Sequence, residues 1–296
     1  MKFHGRLLLA GIVTAGLAGS GVAEPSTVIE LFTSQGCSSC PAADKLLGEL
    51  AKDSSVVALS LPVDYWDYLG WKDTLASPLH TAKQRAYARA RGDREIYTPQ
   101  AVVNGAIPVI GSDKSDIDDA IQQTRDKAMT HPVRLVAAGD KLTVSVPDAK
   151  DGATRGEVWI YGVAAAAPVA IGRGENAGRK ITYYNVSRRW LKVGDWNGKA
   201  ESWTVAADQI RTDGVDCAAA ILQSGSAEKP GLMLGAAVAA LRGARIAVTP
   251  GIKKGRLGAG PEKFGGLNRT QNNWPGPSKP RGAGGLRNPE LFRTGP

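Results

Sequence analysis

Of the 296 residues only three are cysteine, three histidine and three methionine. That scarcity leaves little room for a metal site. Cys37-Ser-Ser-Cys40 supplies at most half of a tetrahedral zinc site. A copper site built on the same pair finds no third ligand nearby, because Met129 and Met233 are remote in sequence. His80 and His131 have no His, Cys or carboxylate partner at metal spacing and read as ordinary surface residues. No bound metal and no organic cofactor are expected. Long apolar runs are also missing: nothing approaches the ~18 uncharged apolar residues that a membrane-spanning helix needs.

Acidic residues are lacking at the two ends. Residues 243–296 carry ten Lys or Arg against Glu262 and Glu290, and residues 1–23 carry Lys2 and Arg6 with no acid. Residues 24–242 hold 25 basic and 26 acidic side chains, so the net charge of +9 belongs to the termini. The body is nearly neutral and offers no electrostatic reason to bind nucleic acid.

Each end has its own reading. Lys2 and Arg6 precede an uncharged run, residues 7–18, followed by small residues at Gly21 and Ala23. These are the parts of a secretory signal peptide, residues 1–23, with cleavage after Ala23. Twelve residues at ~1.5 Å rise cannot cross a ~30 Å hydrocarbon core. The expectation is an exported, periplasmic or secreted protein without a membrane span after cleavage, in a compartment where disulfides persist. Residues 243–296 contain 12 Gly and 7 Pro with no apolar periodicity, and read as a disordered basic tail.

Between the ends, 43% apolar and 22% charged residues describe a globular chain, and the length suggests two domains, 24–132 and 133–242. In the first, Val28-Ile29-Glu30-Leu31-Phe32 reads as a strand and Thr33–Gly36 as a loop. After Cys40 and Pro41, apolar residues recur at helical spacing from Ala42 to Ala51. The cysteine pair therefore lies where a strand and loop give way to a helix N-terminus. There the helix dipole and free N–H groups favour a thiolate. Cys37, expected to be the more exposed, would attack a disulfide, and Cys40 would resolve the mixed disulfide. Glu30, an acid in an otherwise apolar strand, is a candidate to exchange a proton with the resolving thiol; a place on a solvent-facing edge is the alternative.

Farther on, Val56–Leu61 reads as a strand, and a helix is expected after Ser77 as cap and Pro78, ending at Gly92. Thr98-Pro99 then precedes a third strand, and Tyr65, Trp66, Tyr68 and Trp71 crowd one loop. That loop suits either recognition near the pair or packing onto the second domain. Strand, C-x-x-C, helix, strand, helix and Thr-Pro together resemble a thioredoxin-fold protein. The resemblance implies a cis bond before Pro99, with Thr98 and Pro99 beside the cysteines binding the backbone of a substrate chain.

The segments F-T-S-Q-G-C-S-S-C-P-A-A-D, V-D-Y-W-D-Y-L-G-W and Y-T-P-Q-A-V-V-N-G more closely resemble a family of secreted bacterial proteins, the domain of unknown function 1223. The likeness spans roughly residues 26–242. It implies an α/β thioredoxin-like domain followed by a β-rich part.

From Val133 short alternating runs follow one another, beginning with a hairpin around Ala138-Gly139-Asp140 and ending with Cys217–Gln223 as the last strand. They suggest a sandwich-like module. Gly172-Arg-Gly174-Glu-Asn-Ala-Gly178 misses the dinucleotide fingerprint, since no helix follows, and reads as a loop between strands. Cys217 reads as a buried small hydrophobe.

The leading expectation is an exported thiol–disulfide oxidoreductase acting through Cys37 and Cys40 on thiol or disulfide protein substrates, with an unidentified redox partner. A non-catalytic binding module with a structural disulfide, and a soft-metal carrier, are the alternatives. A disulfide that closes so short a loop contributes little chain-entropy stabilisation, which favours redox chemistry.

Overall fold

The computed structural model describes residues 24–241, so the segments expected to be a signal peptide (1–23) and a disordered basic tail (243–296) lie outside the described residues. The fold is a sheet-rich α/β arrangement. In the first half, strands β1 (Thr27–Thr33), β2 (Val56–Pro62), β3 (Gln100–Val103) and β4 (Ile107–Ile110) combine with helices α1 (Cys40–Leu50), α2 (Pro78–Arg91) and α3 (Lys114–Thr124). The second half adds β5 (Arg134–Ala138), β6 (Lys141–Val146), β7 (Gly156–Ala170), β8 (Lys180–Trp196), β9 (Glu201–Ala206), β10 (Cys217–Gly225) and β11 (Pro230–Ala240). Three elements, β4, α3 and β11, were not anticipated from the sequence, and Cys217–Gln223 is the penultimate strand rather than the last.

Eight strands form one sheet in the order β11-β10-β7-β8-β2-β1-β3-β4, and β5-β6-β9 form a second. The large sheet is mixed: β1 and β2 are parallel, β1 and β3 antiparallel, and β2 meets β8 in parallel at the single register pair Ser60 and Val186. The sheet thus runs across the expected boundary at residues 132/133. The β-rich half is sandwich-like, since β6 lays Leu142, Val144 and Val146 against Val158, Ile160, Ala218 and Leu222 of the large sheet. The large layer of that sandwich is nonetheless an extension of the first half's own sheet.

Alternation along β1 sets up two faces. Ile29 and Leu31 pack with Ala43 and Leu47 of α1. Val28 and Phe32 pack on the other face with Tyr87 of α2 and with Tyr161 and Ile221 from the second half. Helix α2 is bounded as its sequence demands: the Ser77 hydroxyl accepts the Leu79 N–H at 3.2 Å, and Gly92 takes the left-handed conformation, φ +81°, that ends the helix.

Candidate functional site

Cys37 and Cys40 form a disulfide with Cα atoms 5.4 Å apart, at the end of the loop that leaves β1 and at the first residue of α1. The expected strand–loop–helix junction is therefore present. The expected exposure of Cys37 is not: both cysteines are 0% exposed. The loop between β7 and β8 is bonded to the main chain around them. Asn176, itself 1% exposed, donates its side-chain amide to the carbonyls of Gln35 (3.0 Å) and Cys37 (2.8 Å). Next to it, Glu175 Oε2 accepts the Ser38 N–H at 3.1 Å. The Gly172–Gly178 segment is the loop between strands that its sequence suggests, but its bonds to the main chain around the cysteine pair have no signal in the sequence.

The aromatic loop flanks the same site. Trp71 Nε1 donates to Gln35 Oε1 at 2.8 Å, and a Cβ added at Gly172 would meet the Trp71 ring at 3.0 Å. Trp66 Nε1 donates to Thr98 Oγ1 at 2.8 Å while its Cβ lies 3.1 Å from the Cβ position of Gly36. Trp66 thereby links the residue before Cys37 to the residue before Pro99. The Thr98–Pro99 bond is cis, and the register of Phe32 with Gln100 sets it at the cysteine end of the sheet.

Glu30 is brought elsewhere. Its alternation on β1 points it to the α2 face, where it is fully buried. There Oε1 accepts from Lys83 Nζ at 2.5 Å and Oε2 from the Tyr87 hydroxyl at 2.8 Å. Lys83 also donates to the Tyr161 hydroxyl at 2.7 Å, and Gln223 Nε2 to the Tyr87 hydroxyl at 2.8 Å. Burial drives the Lys83 amine below its ordinary range, with Glu30 opposing, and drives both tyrosines well above theirs. Both Glu30 oxygens are committed to this closed network, which ties α2 to both halves of the sheet.

The acid the sequence reading missed is Asp44. It follows Cys40 by one helical turn, so the two share a face of α1. The same row continues to Gly48, which packs against the Tyr184 ring of β8. Asp44 is 2% exposed, and neither carboxyl oxygen meets a hydrogen-bond partner among the described residues. Desolvation pushes its pKa from 3.8 to about 8; the nearby Thr33 hydroxyl pulls the other way without reaching hydrogen-bond geometry, and Asp73 adds to the rise. The buried Tyr183 hydroxyl of β8 is likewise unpartnered, and its pKa is raised first by burial and then by Asp44 and Asp73. Asp73, also shifted upward by burial, accepts the Gln35 N–H at 2.8 Å. A buried acid in helical register with a cysteine was legible in C-P-A-A-D, had the row from Cys40 been followed one turn.

The remaining candidates lie away from the pair. Cys217 is the free cysteine among the described residues; it is half-buried rather than buried, and burial lifts its thiol to about 12. His80 is a core residue, not a surface one. Its Nδ1 lies 2.8 Å from the Pro62 carbonyl, and burial, the main cause, lowers its pKa to about 4. His131 is half-buried beside the Trp196 ring, 5.1 Å between centroids.

A family model described as a protein of unknown function, DUF1223, matches residues 28–223. The chain belongs to that family. Among solved structures, a structural-genomics target from Agrobacterium tumefaciens is 32% identical, covers 74% of this chain and 95% of its own, and superposes with a TM-score of 0.66. HBP35 of Porphyromonas gingivalis is 14% identical over 80% of each chain, with a TM-score of 0.51, a likeness of fold alone. A search of curated proteins finds no match. The family match spans the cysteine pair, Asp44, the cis-proline and the β7–β8 loop.

Proposed function

We propose that this member of the DUF1223 family is an exported thiol–disulfide oxidoreductase with a thioredoxin-like catalytic half. One observation carries the reading: Asp44, a buried carboxyl with no hydrogen-bond partner among the described residues, stands one helical turn beyond Cys40. An unpartnered buried acid costs stability, and a structural staple has no use for one. A resolving thiol does, because its proton must come and go where water is excluded.

The chemistry balances as follows. A thiolate of a dithiol protein attacks Cys37 Sγ; the Cys37–Cys40 bond breaks and its electron pair leaves on Cys40 Sγ, which takes the proton of the Asp44 carboxyl. A second substrate thiolate then attacks the mixed disulfide and expels Cys37. The substrate is oxidised by two electrons and the cysteine pair reduced. Run in reverse, the Asp44 carboxylate accepts the Cys40 proton. Thr98 and Pro99 supply backbone for the substrate chain beside the pair, and Glu30 serves the fold.

The complete burial of Cys37 and Cys40 favours a second reading, a structural disulfide. The reduction potential of the pair, taken by alkylation and mass spectrometry after equilibration in redox buffers, decides between them. A value of about −270 mV or higher supports exchange chemistry, whereas one below about −300 mV supports a structural bond and overturns the proposal.

A further inference from the structure

The β7–β8 connection carries two left-handed glycines, Gly174 and Gly178, yet it is held down at its centre. Asn176 makes two hydrogen bonds to the main chain that leads into Cys37, and its own Oδ1 is buried with no partner. The exposed Glu175 holds the Ser38 N–H, the amide between the two cysteines. These three bonds span more than 130 residues of sequence and are what the second half contributes directly to the cysteine loop. A thiol cannot attack sulfur in line while both sulfurs are sealed from solvent.

We infer that Asn176 is a latch: it positions the Gln35–Cys37 main chain and closes the Gly172–Gly178 loop over the disulfide, so that the loop must lift before any thiol reaches Cys37. The latch deepens the proposed exchange reaction and rests on it for its purpose. Gly174, with φ +79°, and Gly178, also at φ +79°, allow the loop to fold back over the site. Only a partner able to displace Asn176, or to wait for its release, gains access, and this makes the loop a determinant of specificity. The loss of two buried hydrogen bonds in Asn176→Ala shifts the loop toward its open form by about ten-fold or more. Gly174→Ala leaves both bonds in place but forces a Cβ into a left-handed position, and opens the loop by about five-fold.

The test is the rate at which dithiothreitol reduces the oxidised full-length protein, read by maleimide labelling of the new thiols and mass spectrometry. Both variants should react faster than the unaltered protein. Gly139→Ala, which places the same strain (φ +63°) in the open turn between β5 and β6, should react at the unaltered rate. Unchanged rates in Asn176→Ala and Gly174→Ala overturn the latch, and so does equal acceleration in Gly139→Ala, which would mean that reduction proceeds through general unfolding. Because the probe is a small dithiol, these rates are readable even if no protein substrate turns over, so failure of the latch and failure of the proposed function are separate results.

Discussion

Asp44→Asn separates a carboxyl kept for proton transfer from one that merely fills space. The native state holds this proton up to about pH 8, whereas the unfolded chain releases it near the ordinary carboxyl value of 3.8. Between those limits the native state binds more protons than the unfolded one, so unfolding free energy falls as pH rises. The stability is complete below about pH 4 and drains away as pH climbs to 8. At about 1.4 kcal/mol per unit of difference, the loss reaches an upper bound of about 4 kcal/mol at pH 7. Asparagine has nearly the same shape and no charge, so Asp44→Asn should match the unaltered protein at pH 4 and exceed it increasingly toward pH 8. Asp73, raised in the same sense, retains part of the slope in the variant. Urea denaturation of the oxidised proteins in steps from pH 4 to 8 measures the difference. A difference that stays constant across that range would refute the argument, because it would mean that Asp44 ionises alike in both states. The same variant should slow exchange with a protein dithiol by about a hundred-fold, the usual size of a lost proton-transfer group.

Three further outcomes are expected. Cys37→Ser should abolish exchange with protein dithiols, while Cys217→Ser, which removes a thiol held near pKa 12 at 3.7 Å from the Val163 carbonyl, should leave it unchanged in the same turnover assay. Lys83→Met strands the Glu30 carboxylate and should cost about 3–5 kcal/mol in urea denaturation; the double variant Lys83→Met with Glu30→Leu should regain most of that loss, since a buried pair replaced by apolar groups is often neutral. Gly162→Ala drives a Cβ into the Ile210 main-chain carbonyl and should lower stability by about 1–3 kcal/mol, visible as a fall in Tm.

Local signals explain which parts of this fold were readable in the chain. The Ser77–Pro78 start and Gly92 end of α2, the β5–β6 hairpin and the strand before the cysteines each depend on neighbours in sequence, and each was found where expected. Two short elements, β4 and α3, were missed because β4 has only four residues and α3 is largely polar, with three buried positions. Parity along β1 explains why Glu30 meets α2. An even-numbered residue of β1 shares its face with Val28 and Phe32, and so meets α2 rather than α1. Following the alternation from Ile29 and Leu31 puts it on that face. No local rule could reveal Asn176, because its partners lie about 140 positions away and its loop has the composition of any polar turn.

The two buried acids show why the β-rich half is part of the site rather than an attachment. On one face of β1, Glu30 is closed off by Lys83 and Tyr87 from α2, with Tyr161 of β7 and Gln223 of β10 completing the network, so every polar atom there has a fixed use. On the other side, Asp44 is buried near enough to Tyr183 of β8 to raise its pKa, yet receives no hydrogen bond among the described residues. Strand β7 thus adds to the Lys83 end of one acid's network, β8 borders the other acid, and the loop joining them bonds the main chain around the disulfide. The proposed exchange site, an unpaired acid beside a disulfide with a loop to lift, draws on all three contributions. Without β7 and β8, Lys83 would lose its bond to Tyr161, and the Gln35 and Cys37 carbonyls would lose Asn176.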